Sequence, residues 1–264
     1  MDFIQPTFVR CCTSIPLERP IVRASQVAPA AEKENRLLAG LPKSDRLRLF
    51  ARAKLVTLDA NLVLVSEGQE SRYIYFPVDC TIGIFSPTEM TAPMAVSIVG
   101  YEGMVGGVML LGSGLLPGAA VVLDAGTAWR ISRKALEVLV NEPGAVRRRL
   151  FLYLHLAFIN LAQQAVCGHF HSIESRLARW LLLIHDRVGS DQFALTHKML
   201  ADLLGVQRVG VTIAASALQT RDLIEYRRGV ISLIDRKGLV ETACNCYGVD
   251  ERNYLKVLDK AGAV

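Results

Sequence analysis

Two sets of side chains carry most of the reactive potential of this chain. One is six cysteines, at positions 11, 12, 80, 167, 244 and 246; the other is a polar run between Thr196 and Gly229. Catalytic signatures are missing: there is no G-x-S-x-G, H-E-x-x-H or phosphate-loop motif. The glycines at 103, 106 and 107 are not a dinucleotide fingerprint followed by an acidic ribose ligand. No close His/Ser or His/Cys pair follows from spacing, so the expectation is a chain that is not an enzyme. The cysteines suit an iron–sulfur cluster poorly. Cys11 and Cys12 are adjacent, Cys80 falls in a strand-like segment, Cys167 in a helical one, and Cys244 and Cys246 form a C-x-C. They read as scattered structural or reactive thiols, with no metal site. His155, His169 and His171 lie near a helix end. A lone histidine there is more often a hydrogen-bonded structural residue than a haem ligand, and His171 could instead open the next helix.

The polar run points to a different chemistry. It begins T-H-K-M-L-A-D-L-L-G-V-Q-R-V-G-V-T-I-A-A-S-A-L-Q from Thr196. Thr196 suits an N-cap, a helix spans about 197–204, and Gly205 can take the positive φ of a sharp turn. A second helix spans about 207–219, with Val211, Ala214 or Ala215, and Leu218 as its buried stripe; the small Ala201 lets the two helices approach. This is a helix-turn-helix pattern, whose second helix enters a DNA major groove. Arg208 can take guanine O6 and N7 together, Gln207 can pair with adenine, and Thr212 lies on the same exposed side. Val209 and Ile213 suit thymine methyls. The following L-I-E-Y-R-R-G-V-I-S-L-I-D-R reads as two strands joined at Arg227–Arg228–Gly229, a basic wing. Arg227 and Arg228, with His197 and Lys198, are the candidate contacts to the DNA backbone. The alternative is a protein-interaction module, in which the helical hairpin packs on another protein and Arg208 is simply solvated. Steep loss of binding with salt separates the two.

Other elements must position this reader. The 264 residues are 51% apolar and 21% charged, which fits a globular chain of two domains. A net charge of +5 permits nucleic-acid binding without demanding it. Residues 1–34 hold Pro6, Pro16, Pro20 and Pro29 and read as a mobile tail. Residues 35–53 are helical, with a break near Pro42. Between Leu55 and Ile131 short Val-, Ile- and Tyr-rich segments alternate with turn residues, which suggests an antiparallel sandwich or barrel. A helix returns over about 136–165, with Pro143 near its start and Arg147–Arg149 facing solvent. Leu150, Leu154, Phe158 and Leu161 recur along it at helical spacing. It is apolar on more than one face, so a second subunit is expected to cover one of them. In the helix over 175–188, Leu177, Leu181, Leu182 and Ile184 share a face, with Arg176, Arg179 and Arg187 elsewhere. Met104–Leu123 and Leu150–Ile173 carry no charge, but glycines and a proline break the first, and histidines and amides load the second. Neither reads as a membrane span. The N-terminus lacks a signal-peptide pattern, so a cytoplasmic chain with reduced thiols is expected.

The order helix, β-roll, long apolar helix and winged helix resembles the CRP/FNR superfamily of bacterial transcription regulators. Y-F-P (75–77), V-G-Y-E-G-M-V-G (99–106), H-S-I-E-S-R-L-A-R-W-L-L (171–182) and L-L-G-V-Q-R-V-G-V-T (203–212) carry the resemblance, which covers about residues 35–250. It implies an α+β fold: a cyclic-nucleotide-binding-like antiparallel β-roll (a double-stranded β-helix) over 35–142, a dimerisation helix and hinge over 143–171, and a winged helix-turn-helix over 172–264. It also implies a homodimer that binds palindromic double-stranded DNA, with RNA polymerase as a candidate further partner. Where the effector would sit, the sequence departs from the family. Cyclic-nucleotide binders hold the phosphate with an arginine in a glycine-rich cassette, yet no Lys or Arg occurs from Tyr73 through Trp129. A buried phosphate without a counter-charge is costly, although the amides of Gly106, Gly107 and Gly112 could cradle an anion. No cofactor is expected, a cyclic nucleotide is disfavoured, and the effector is unknown.

Overall fold

The computed structural model describes residues 23–24, 34–87, 93–116 and 118–259. Most of the expected tail, Cys11 and Cys12 lie outside these residues.

The N-terminal half is a roll of two antiparallel sheets. One has the order β1-β2-β8-β4, from β1 (Arg23–Ala24), β2 (Lys54–Leu58), β4 (Tyr73–Pro77) and β8 (Gly126–Ser132). The other has the order β3-β7-β5-β6, from β3 (Val63–Val65), β5 (Thr81–Ser86), β6 (Met94–Val99) and β7 (Ala119–Asp124). Val56, Leu58, Ile82, Ala120, Val122 and Ala128 are buried together in one apolar cluster. Two short helices, α1 (Arg36–Ala39) and α2 (Lys43–Phe50), precede β2. Asn35 anchors the first of them. Its amide donates to the carbonyls of Pro77 and Gly103, and its side-chain oxygen accepts from the Leu38 N–H.

The helix expected over about 136–165 is two helices, α3 (Arg133–Asn141) and α4 (Ala145–Phe170). Glu142 has ψ 130°, the extended conformation that a following proline imposes, and so Pro143 ends α3 rather than sitting inside a helix. Two expectations for α4 need correction. Arg149 is not solvated: its guanidinium donates to the carbonyls of Leu37, Arg36 and Leu258. Leu150 is fully buried with Leu37, Leu38, Leu49 and Leu136 inside its own subunit, so it is unavailable to a second one. The apolar side chains left exposed are Phe151, Phe158, Leu161, Val166 and Phe170. Phe158 and Phe170 are 71% and 73% exposed, far more than a core position allows. Leu154 is partly buried and abuts Gly107 of the roll.

The C-terminal half contains α5 (Ile173–Val188), β9 (Gln192–Ala194), α6 (His197–Leu204), α7 (Arg208–Thr220), β10 (Ile224–Arg227), β11 (Val230–Leu233), α8 (Arg236–Thr242) and α9 (Val249–Tyr254). Strand β9 was not legible in the sequence; it has three residues and is held by pairing to β11. The two halves share a core. Ala95 and Ile98 of β6 are buried with Leu177, Leu181, Leu200, Leu204 and Val211 of the helices. The arginines of α5 lie off its leucine face and are nonetheless buried: Arg176 and Arg179 are 7% and 2% exposed, and Arg187 is largely buried.

Leu150→Ala is expected to lower the unfolding free energy of the protomer by about 2–5 kcal/mol, the usual cost of a buried leucine cavity. Urea denaturation measures it. An effect confined to subunit dissociation would return Leu150 to an intersubunit face.

Candidate nucleic-acid interface

The reader is built as its local sequence dictates. Thr196 caps α6, its hydroxyl accepting from the Met199 N–H. Gly205 takes φ +63° and ends α6, and α7 departs at 106°. That angle lies within the range of helix-turn-helix units. Val211, Ala214, Ala215 and Leu218 of α7 are buried against α5 and α6. The opposite side is open. Gln207, Arg208, Val209, Thr212, Ile213 and Ser216 are exposed, with Val209 and Ile213 at 67% and 66%. Gln207 is the N-cap of α7 and makes no side-chain capping bond, so its amide is free for another partner.

Strands β10 and β11 pair from Ile224↔Leu233 to Arg227↔Val230, leaving a two-residue loop of Arg228 and Gly229. Both have positive φ, +49° and +83°. This is the conformation of a type I′ hairpin, which favours Asn or Gly in the first place. Arg228 occupies it despite its side chain. Arg227 is the last strand residue, highly exposed and 2.6 Å from Glu225.

His197 and Lys198 differ in what surrounds them. The His197 ring stacks on Tyr226 of the wing, centroids 4.4 Å apart. Its Nδ1 is 3.1 Å from the Thr212 hydroxyl, which also donates to the Arg208 carbonyl at 3.0 Å. His197 therefore joins the wing to the recognition helix. Burial and then the charge of Arg208 hold its pKa below the usual histidine value. Lys198 remains exposed and pairs with Asp202 at 3.0 Å.

Behind the reader, a cavity of about 500 Å³ lies between roll, α4 and α9. Arg187 meets Glu102 of the roll at 2.8 Å, and Arg179 meets Gln164 at 2.6 Å and Asp250 at 3.5 Å. Burial pushes the Asp250 carboxyl up despite both arginines.

A second cavity, of about 600 Å³, lies on the roll and is lined by residues including Glu70, Arg72, Tyr73, Tyr75 and Arg130. Arg130 lies over the Tyr73 ring at 4.5 Å. The stretch without cations is therefore bracketed by two guanidiniums that line one cavity. The counter-charge argument from sequence does not extend to it. Neither cavity is lined by Gly106, Gly107 or Gly112.

Three of the four described cysteines are gathered rather than scattered. Cys167, His171, Cys244 and Cys246 bring one donor atom each to a group whose members all lie within 4.8 Å of one another. A C-x-C alone was legible; its apposition to the end of α4 was not. His171 is the C-cap of α4 rather than the start of α5, which Ser172 caps. Cys80 is buried elsewhere, its thiol donating to the Thr127 carbonyl, and burial pushes its pKa up to about 12.

Residues 175–242 match the Crp-like helix-turn-helix domain family. No curated protein matches the chain. Among solved structures it is similar to FixK2 from Bradyrhizobium japonicum, at 17% identity and a TM-score of 0.62, over 73% of this chain and 98% of that one. It is also similar to a CRP-family transcriptional regulator from Thermus thermophilus, at 15% identity and a TM-score of 0.62, over 72% and 97%. A third is CLP from Xanthomonas campestris, described as a c-di-GMP-responsive global regulator, at 16% identity and a TM-score of 0.61, over 73% and 99%. At these identities the likeness is one of fold, and the roll, long helix and winged helix are those of the CRP/FNR structures.

Because the folded state holds His197 neutral while the unfolded chain binds its proton below about pH 6.5, its contribution to stability is full above that pH. It is lost as pH falls through the lowered folded pKa. Wild type is expected to lose more stability between pH 7 and pH 5 than His197→Gln. Equal losses would show that His197 is not held neutral.

Proposed function

We propose that this chain, with its CRP/FNR fold and a Crp-like helix-turn-helix domain over 175–242, is a transcription regulator that reads palindromic DNA as a homodimer. The open face of α7 beside the Arg228 wing tip carries this reading. Arg208 supplies a fork for a guanine edge, Gln207 and Thr212 supply amide and hydroxyl groups, and Val209 with Ile213 supply apolar contact for thymine methyls. Arg227 and Arg228 hold phosphates from the hairpin tip, with Lys198 at the start of α6. An arginine placed where glycine or asparagine is preferred fits a tip kept for its charge. His197 acts by positioning the wing against α7.

Dimerisation uses the exposed stripe of α4, Phe158 and Leu161 above all, with Phe151 and Phe170 at its ends. Pairing there buries the apolar face left over by the roll and sets two readers one DNA turn apart. The signal acts through the roll. Met94 of β6 packs on Gly205 of the reader's turn, and Gly107 packs on Leu154 of α4. Movement of the loops around the roll therefore displaces both the turn and the dimer helix. The chain does no chemistry on its ligand, and the effector is left open.

Selection of random duplex DNA by purified protein tests the reading. Recovery of a two-fold palindrome is expected, with affinity falling steeply as salt rises. A folded dimer that enriches no sequence would favour a protein-binding module instead. Arg208→Ala is expected to cost about 1–3 kcal/mol on the selected site and to relax one base position. Arg228→Ala is expected to weaken all sequences alike, and a sequence-dependent loss there would make the wing a base reader. Phe158→Glu is expected to give monomers in sedimentation, and an unchanged dimer would place the interface elsewhere.

A further inference from the structure

Beyond the reader, the hinge between α4 and α5 holds a group of side chains that DNA binding does not use. Cys167 and His171 stand four residues apart at the end of α4, one helical turn. Cys244 and Cys246 come from the loop after α8. The Cys167 and Cys244 sulfurs are 3.5 Å apart, and Cys246 Sγ is 3.6 Å from His171 Nδ1. A zinc ion with bonds of about 2.3 Å to sulfur and 2.0 Å to nitrogen places tetrahedral ligands about 3.5–3.8 Å apart. The Cys167–Cys244 and Cys246–His171 distances fall in that range. A disulfide needs a separation of about 2.05 Å, and it would leave Cys246 and His171 without a role. An iron–sulfur cluster spreads its ligands over more than one iron, whereas donors this close converge on one point.

The three sulfurs sit among buried cations and a hydrogen-bond donor. All three cysteines are buried. The Gln163 amide donates to Cys246 Sγ at 3.1 Å, a second contact that favours the thiolate. Arg176 and Arg179 are buried alongside, and each has an Nε–H without a partner. Arg179 is paired with Asp250, but Arg176 finds only the Leu204 carbonyl. Neutral thiols would leave Arg176 as a buried charge without a counter-ion, which is costly. Three thiolates and a divalent cation carry one negative charge between them, and Arg176 balances it.

We propose that Cys167, His171, Cys244 and Cys246 form a closed, tetrahedral site for one zinc ion, which ties the end of the dimer helix to the segment behind the reader. Soft thiolates with one imidazole select a thiophilic ion of this geometry, and four protein ligands leave no open position for catalysis. Because the ligands lie on both sides of the His171–Ser172 hinge, the ion fixes the angle at which α5 and the reader leave α4. Its loss frees that angle, so the site couples zinc or thiol oxidation to the spacing of the two readers. This coupling rests on the dimeric reading; the ion itself does not.

The test uses the full chain, purified without a histidine tag or chelator. Elemental analysis is expected to give one zinc per chain. Cobalt(II) put in its place is expected to show the intense visible absorption of a tetrahedral thiolate centre. Cys246→Ser and His171→Ala are expected to lose stoichiometric metal, while Cys80→Ser and the Cys11→Ser, Cys12→Ser double variant keep it. Gln163→Ala, which removes only a supporting contact, is expected to weaken zinc binding by about 10–100-fold. It serves where a ligand variant does not fold. A chain that binds no zinc or cobalt, whether its thiols alkylate freely or Cys167 and Cys244 join in a disulfide, overturns the proposal. So does metal that survives Cys246→Ser and His171→Ala, or that leaves with Cys11 and Cys12. None of these readouts depends on DNA binding, so failure here and failure of the reader are distinguishable.

Discussion

A buried guanidinium must find acceptors, and three of them on one helix fix how this chain is assembled. Arg187 takes its carboxylate from Glu102 of the roll. Arg179 takes Gln164 from α4 and Asp250 from α9. Arg176 reaches the Leu204 carbonyl at the end of α6. Removing one partner of such a pair leaves an uncompensated charge in low dielectric, which typically costs about 3–5 kcal/mol. Helix α5 is thereby held to the roll, to α4, to the C-terminal segment and to the first reader helix. Its apolar face holds it to the reader and to Ala95 and Ile98 of β6.

That arrangement decides what the reader can do. The apolar side of α5 packs the helix-turn-helix, and its charged side faces the rest of the molecule. The recognition face of α7 points away from both and stays open. Ala95 and Ile98 of the roll are buried in the same cluster as the reader helices. The reader thus shares its core with the roll. Coupling of this kind needs no long chain of contacts, only two arrangements of one core.

The reader was legible because its determinants are local. The cap, the glycine turn, the buried stripe and the basic hairpin all lie between Thr196 and Leu233, and each follows from backbone sterics or helical period. The order of roll, long helix and winged helix was legible for the same reason. What the sequence hid was made by distant pairing. Arg187 and Glu102 are 85 residues apart, and Arg179 and Asp250 are 71 apart, so helical period could not show that these arginines are buried. Cys167 and Cys244 are 77 residues apart, which is why spacing alone read them as unrelated thiols. Leu150 shows the same limit within one helix. Period placed it on an apolar face, but only the position of α1 and α3 determines which face the subunit itself covers.

Helix α4 carries the consequence. It is long and apolar enough to cross a membrane by composition, and its apolar residues fall on two faces. Val146, Leu150, Tyr153 and Leu156 are buried in the subunit, while Phe151, Phe158, Leu161, Val166 and Phe170 are left on the outside. A helix with apolar residues on both sides scores as hydrophobic all round, and the hydropathy pattern cannot separate the two faces. Burial does separate them. The outer stripe runs down to the turn that bears Cys167 and His171, so the surface proposed to pair the subunits ends where the hinge begins.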